Sequence, residues 1–266
     1  MNATDKLPLS LVLIAHNEAA NLSRCLGSAA AWVSEIVVVV NDCTDDTVAI
    51  AKSFGARVSE HAWQGHRDQK NIALGHATQP WVLCIDADEE VTPALAASIR
   101  EFVQRDDPRY AGAYFARCVF FLGRWIRHGD WYPDWSLRLI RRGKGKWGGS
   151  REHDKMLLEG EAAKLAGDLN HYSYRDLDHQ QGKIPYFADI YLQRMLDDGR
   201  QWSTCGVIFR SCWRSFRAYF LRLGFLDGFP GFYIAVFQGY ATFYRHCKLY
   251  EYNVKQKGGG APAPKP

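Results

Sequence analysis

Through the first hundred residues, apolar runs of strand length alternate with stretches whose apolar positions recur at helical spacing. Leu9 to Ala15 reads as a strand, and Ala19 to Trp32 as a helix with one apolar face. Ile36 to Val40 is a β-branched strand that ends in the polar turn Asn41-Asp42-Cys43-Thr44-Asp45-Asp46-Thr47, rich in helix-capping residues. Val48 to Phe54 predicts a helix, Ala56 to His61 a short third strand, and Gln69 to His76 another helix. The run Trp81-Val82-Leu83-Cys84-Ile85 is the fourth strand, and Thr92-Pro93 opens the next helix with a cap and a first-turn proline. Such alternation predicts right-handed βαβ units in a mostly parallel sheet with helices on both faces. Polar residues follow strands one, two and four, so a ligand site built from several strand ends is expected at the carboxyl edge.

The most telling polar group there is Asp86-Ala87-Asp88, directly after the fourth strand. In extended geometry residues two apart share a side, so both carboxylates could hold one divalent cation together with a diphosphate. A D-x-D triplet by itself is more often a solvated turn or a cap. Its place at a buried strand end is what favours the ligand reading. Oxygen-rich, water-retaining coordination suits Mg²⁺ or Mn²⁺.

Ala15-His16-Asn17-Glu18, Thr44-Asp45-Asp46-Thr47, Lys70-Asn71-Ile72-Ala73-Leu74 and Asp86-Ala87-Asp88-Glu89, in that order, resemble the signatures of family 2 glycosyltransferases of the GT-A fold. The turn 41–47 and Trp147-Gly148-Gly149-Ser150-Arg151-Glu152-His153-Asp154 most resemble those of lipopolysaccharide core β-glucosyltransferases. The resemblance covers about residues 7 to 160. It implies a Rossmann-like GT-A domain and a UDP-sugar donor, with Ala15, His16, Asn17 and Glu18 edging the uracil pocket. Arg67 or Lys70 would approach the base or diphosphate, and Asn71 would fix the loop. Asp88 is expected as the direct metal ligand, Asp86 near the ribose or a metal-bound water, and Ala87 lies between them. There is one departure: relatives often end strand two with an acidic pair, and this chain has Val40 and Asn41 there, with Asp42 one residue beyond.

An inverting transfer needs one carboxylate to take a proton from the attacking hydroxyl. Asp134, Glu152 and Asp154 are the candidates; Asp154 is preferred because relatives often place a His-Glu pair after a Trp-x-Gly segment, where this chain has His153-Asp154. His153 is then a candidate metal or diphosphate contact. Arg138, Arg141, Arg142 and Lys146, between these acids, could meet phosphates, although a solvated basic loop is the default reading.

Composition adds a second regime. The chain of 266 residues carries only +4 overall, yet residues 201–257 hold eight Lys/Arg against two acids and 16 of the 36 aromatics. Phe209, Trp213, Phe216 and Phe220 recur at helical spacing beside Arg210, Arg214 and Arg217, a basic amphipathic pattern suited to an anionic lipid surface. The bland alternative is that the aromatics pack inward and the arginines are merely solvated. Leu223 to Phe243 is apolar but interrupted by Asp227, Pro230, Gln238 and glycines, which predicts lying on a membrane and not crossing it. Seven cysteines without a CxxC pair read as reduced thiols. With no signal-like amino terminus, the expected location is the cytoplasm, peripheral on the inner face of the inner membrane. No RNA-binding motif accompanies the arginines, so no nucleic-acid partner is expected.

The expected organisation is a catalytic domain over 1–200, with a nucleotide-sugar half at about 7–105 and an acceptor half at about 106–200. A membrane-associating helical appendage over 201–257 and a disordered tail at 258–266 complete it. The expected function is inverting transfer of a hexose, glucose first, from a UDP-sugar to the lipid-anchored inner core of lipopolysaccharide. Transfer to a polyprenyl phosphate, or a catalytically silent membrane-binding module, are the alternatives.

Overall fold

The computed structural model describes residues 6–150 and 153–257, excepting the side chains of Ser150, His153 and Lys257. The chain forms two compact units, one of Met1–Val119 and Pro133–Ser173, the other of Phe120–Tyr132 and Tyr174–Pro266.

The first unit is built on strands β1 (Leu7–Ala15), β2 (Val33–Val40), β3 (Arg57–Glu60) and β4 (Trp81–Cys84), with helices α1 (Ala19–Gly27), α2 (Thr47–Ser53) and α3 (His66–Gly75) between them. These strands pair in parallel in the order β3-β2-β1-β4, as the alternation predicts. Most residues of β1, β2 and β4 are buried, on both faces, and period two sorts them, whereas the edge strand β3 is partly exposed. Leu9, Leu11 and Leu13 of β1, Val38 and Val40 of β2, and Trp81 and Leu83 of β4 pack with α1, α2 and α4 (Pro93–Arg105). Val12, Val37, Val39, Val82 and Cys84 pack on the other face with α3 and the hairpin β9 (Gly145–Ser150) and β10 (His153–Leu158). Two-sided burial is why these strands read as continuous apolar runs.

Beyond β4 the sheet is mixed. It continues through β8 (Asp134–Arg141), β6 (Tyr110–Phe121), β11 (Glu161–His171) and β5 (Glu89–Val91), with β8 antiparallel to both neighbours and β5 antiparallel to β11. The β5–β11 register sets His171 opposite Glu89, and the Tyr172 N–H donates to the Asp88 carbonyl at 3.0 Å. A residue from far along the chain thus reaches the end of the acid-bearing strand.

The second unit holds the end of β6 with β7 (Arg124–Trp125) and helices α5 (Leu177–Gly182), α6 (Ile184–Asp197), α7 (Thr204–Phe216) and α8 (Gly228–Lys257). Its boundary differs from the expected residue 200. Tyr174 stacks on Trp131 (5.3 Å) and meets Phe121 (5.9 Å), and Phe121 meets Tyr233 (5.8 Å), so segment 120–132 packs with the helices. Lys248–Asp189 at 2.6 Å ties α8 to α6. Helix α8 runs through Gly231 and Gly239, whereas Gly224 and Asp227 lie in the turn that precedes it. Pro230 lies in the first turn, where it is tolerated, and a Cβ on Gly239 would meet Ser215 Oγ at 2.0 Å, so this glycine permits a close crossing with α7.

The arginine stripe needs correction. Arg214 and Arg217 hold the almost fully buried Asp130 carboxylate at 2.8 and 2.9 Å, and only Arg210 of the three is free of an ion pair. The aromatics do face outward: Phe209, Trp213, Phe216 and Phe220 are all exposed. Among the described residues no single helix is long and apolar enough to cross a membrane, but the pair Thr204–Leu221 and Gly224–Gln256, bent by 72°, is so when taken together. The tail 258–266 lies outside the described residues.

Candidate active site

The carboxyl ends of β1, β2 and β4 open into a cleft of about 730 Å³, lined by Ala15, His16, Glu18, Asn41, Lys70, Asp86, Ala87, Asp88 and Asp154, together with Trp63, His66 and His171. Most of the residues expected from sequence therefore come together. Asn17 does not line the cleft. It adopts left-handed φ 53°, and its Oδ1 accepts from the Thr44 N–H at 2.8 Å, bracing one loop against the next. The Thr44–Thr47 motif has the same task. Asp45 accepts from the N–H groups of Ala19 (3.1 Å) and Thr47 (3.0 Å), and Thr47 Oγ1 accepts from the Glu18 N–H (2.8 Å). Three side chains thus hold the starts of α1 and α2 in place.

At the end of β2, Asn41 and not Asp42 lines the cleft. Asn41 is buried on the cleft wall, and its carbonyl accepts from His16 Nδ1 at 2.7 Å, whereas Asp42 turns outward in a left-handed conformation. Arg67 pairs with Asp68 at 2.9 Å and lies away from the cleft. Asn71 exchanges two 2.9 Å hydrogen bonds with the backbone of Trp147, fixing α3 to β9.

The two acids of the D-x-D triplet do not share one partner. Past Cys84 the chain turns, and Asp86 and Asp88 face different groups. Asp86 sits between Lys70 (2.9 Å) and Arg138 (2.7 Å), and Arg138 continues to the fully buried Glu89 (3.2 Å). Glu89 also meets Arg117 (3.4 Å) and accepts from the Asp86 N–H (2.8 Å). Burial opposes charge on Asp86, yet Arg138 and Lys70 outweigh it and hold the carboxyl well below its ordinary range. Arg138 is therefore an internal counter-ion and not a phosphate contact. Arg141 is likewise engaged, donating to the Tyr110 carbonyl and to Asp106. Replacing Arg138 with Met should leave Asp86 to Lys70 and the buried Glu89 to the more distant Arg117, lowering the unfolding free energy by about 3–5 kcal/mol in denaturant titration.

Asp88 lies beside His171, Oδ2 to Nε2 at 3.4 Å. Cis ligands on one Mg²⁺- or Mn²⁺-sized ion stand about 3 Å apart, so these two atoms fit a single cation with little movement. Among the described residues no three His, Cys, Asp or Glu side chains form a metal cage. Two protein ligands would leave the other positions to phosphate oxygens and water, the usual habit of ions that dehydrate reluctantly. The His153 side chain and the whole of Glu152 lie outside the described residues.

Asp154 faces the cleft with Oδ2 2.9 Å from Lys70 Nζ. Burial pushes its pKa up and Lys70 pulls it down; the net direction is down, so it is ionised at neutral pH. Asp134 is held by Arg117 (Nε at 2.8 Å) and does not line the cleft. Lys70 itself is raised: burial lowers it, but Asp86 and Asp154 prevail. No local pattern points to Trp63, His66 or His171 as cleft residues.

These shifts set opposed pH windows. Asp86, Asp88 and Asp154 are lowered from 3.8, so their stabilisation is present above about pH 4 and is lost as pH falls through the lower folded values. Glu18 is raised from 4.5, first by burial, so it costs stability once ionised and that cost is relieved as pH falls. Denaturant titrations should therefore show stability collapsing only below about pH 4, with Glu18→Gln slightly stabilising at pH 7.

With this geometry established, comparison with known proteins is informative. A family profile described as glycosyl transferase family 2 matches residues 10–157, more than half of the chain. The chain belongs to glycosyl transferase family 2. This glycosyltransferase is 31% identical over 258 residues to the lipopolysaccharide core biosynthesis glycosyltransferase LpsC of Rhizobium meliloti, covering 92% of this chain and 93% of that one. It is 28% identical over 259 residues to an uncharacterised glycosyltransferase of Rickettsia typhi, covering 94% and 89%. Among solved structures, it resembles glucosyl-3-phosphoglycerate synthase from Mycobacterium tuberculosis in complex with phosphoglyceric acid, at 15% identity and TM-score 0.50, covering 76% and 83%. The last likeness bears on the fold alone, and agrees with a GT-A glycosyltransferase carrying a carboxyl-terminal helical region.

Proposed function

We propose that this glycosyltransferase moves a hexose, glucose being the first candidate, from a UDP-sugar to the lipid-anchored inner core of lipopolysaccharide at the cytoplasmic face of the inner membrane, inverting the anomeric centre. The observation that carries the reading is Asp154, held ionised by Lys70 in the cleft that also presents Asp88 and His171. Direct displacement requires one base and no covalent carrier; of the candidate bases, Asp134 is bound to Arg117 outside the cleft, whereas Asp154 lies in it beside Lys70. A divalent cation, when bound by Asp88 and His171, would offset the charge developing on the departing diphosphate. Its imidazole donor favours Mn²⁺ over Mg²⁺.

The remaining residues divide the donor between them. Lys70 has a charge to share with the diphosphate, and drawing it from Asp154 would make that carboxylate more basic. Asn41 presents an amide donor and acceptor, which match the edge of uracil, and the half-exposed Trp63 offers a ring face for the base. The acceptor class is supported by the relationship to a lipopolysaccharide core enzyme.

The test is a screen of nucleotide-sugars with the purified protein. The cognate donor at 100 times its dissociation constant should add about 2.7 kcal/mol and raise Tm by about 5 °C or more. It should also give metal-dependent hydrolysis, with transfer to deacylated core oligosaccharide yielding the inverted anomer. Stabilisation by a guanosine or cytidine donor alone, or a retained anomer, would overturn the reading. A polyprenyl phosphate acceptor arrives already ionised and leaves Asp154 without a task, so transfer to it that survives Asp154→Asn would favour that acceptor instead.

A further inference from the structure

In the second unit, polar groups turn inward and apolar ones outward around the bend between α7 and α8. Asp227, 1% exposed, lies in that bend and accepts from the backbone N–H groups of Arg127 (3.0 Å) and His128 (2.8 Å). Asp130 is equally occupied by Arg214 and Arg217. Both acids and two of the arginines are thus spent inside the unit. What the bend presents to its surroundings is Leu221, Leu223, Phe225, Leu226 and Phe229, between 43% and 70% exposed, with Arg222 as the one charge among them.

Leu223 has left-handed φ 57°, a conformation that penalises a leucine and suits Asn or Gly. Strain at an exposed apolar residue, where a polar one would relieve it, marks a side chain retained for what it touches. Along α7 the exposed ridge continues as Phe209, Trp213, Phe216 and Phe220, their rings 5.1–6.4 Å apart. Soluble monomers rarely leave so contiguous an apolar surface uncovered.

We propose that this bend is a wedge that inserts into the hydrocarbon edge of a lipid bilayer, with binding driven by apolar burial and not by the arginine stripe. Lipid is the occupant that matches the composition, because the two helices together are as apolar as a membrane span while the 72° bend keeps them from forming a straight one. The unpaired Arg210 and Arg222 remain for headgroup phosphates at the rim. The proposal specifies how the membrane location suggested above is achieved, and it rests on that reading only for its purpose, since insertion requires neither donor nor acceptor.

The experiment is co-sedimentation of the full chain with vesicles of phosphatidylethanolamine and phosphatidylglycerol, or of phosphatidylcholine alone, with Trp213→Phe identifying the contribution of Trp213 to a fluorescence blue shift. Binding should change less than about threefold when salt is raised from 0.1 M to 1 M, which shortens the screening length from about 10 Å to about 3 Å. Leu223→Asn with Phe225→Asn should weaken it at least tenfold, with circular dichroism and nucleotide binding unchanged, since Asn suits the left-handed position. Leu223→Met should retain binding. Loss of binding at high salt, no effect of the paired Asn substitutions, or failure to bind either vesicle while the chain self-associates through the same residues would each overturn the wedge. Because none of these readouts uses glycosyl transfer, they can fail while the transferase reading stands, and the reverse.

Discussion

Asp88→Asn is expected to lower kcat/KM by about 10³-fold, a loss of about 4 kcal/mol of transition-state stabilisation. The side chain is partly open to the cleft and among the described residues its side-chain partner is His171, so the fold should survive. His171→Ala should produce a loss of similar size, and the double variant should be little worse than either single one, because both residues serve one function. Asp86→Asn provides the contrast. Its carboxylate neutralises Lys70 and Arg138, so its replacement should show first as lost stability. Steady-state assays across a manganese titration distinguish the cases, and wild-type kcat/KM in Asp88→Asn would remove this residue from the mechanism.

The second large effect is that of Asp154→Asn, expected to lower kcat by about 10²–10⁴-fold with the donor KM nearly unchanged. Asp134→Asn should leave kcat near wild type, since its carboxylate is bound to Arg117 outside the cleft. Because Lys70 holds the Asp154 pKa below 3.8, protonation of the base should not limit the rate until the pH falls below about 4. Lys70→Met removes that influence, so the acid limb should move upward even as donor binding weakens. A wild-type acid limb near pH 6 that disappears in Asp154→Asn would contradict the depressed pKa.

The parallel half of the sheet is legible because β1, β2 and β4 are buried on both faces and its strands are punctuated by polar turns. The acid-bearing strand, the cleft edges Ala15, His16 and Glu18, and Asp154 all followed from local pattern or resemblance. His171 did not, because it arrives through the antiparallel pairing of β11 with β5, a contact whose sequence separation hides it from any local window. For the same reason the ion network of Arg117, Arg138 and Glu89 is invisible in the sequence, where Arg138 reads by default as part of a solvated basic loop that could meet phosphates. The arginines of α7 show a related limit. Helical spacing identified the stripe, but only Asp130, from segment 120–132, reveals that two of them face inward.

In the proposed mechanism Asp88 and His171 hold a cation that helps bind a nucleoside diphosphate in this cleft. Isothermal titration of UDP into the protein, once with Mn²⁺ and once with a chelator, tests it most directly. Mn²⁺ should tighten UDP binding at least tenfold, about 1.4 kcal/mol or more, in the wild type and not in Asp88→Asn. Equal affinity with and without the ion in the wild type would contradict it.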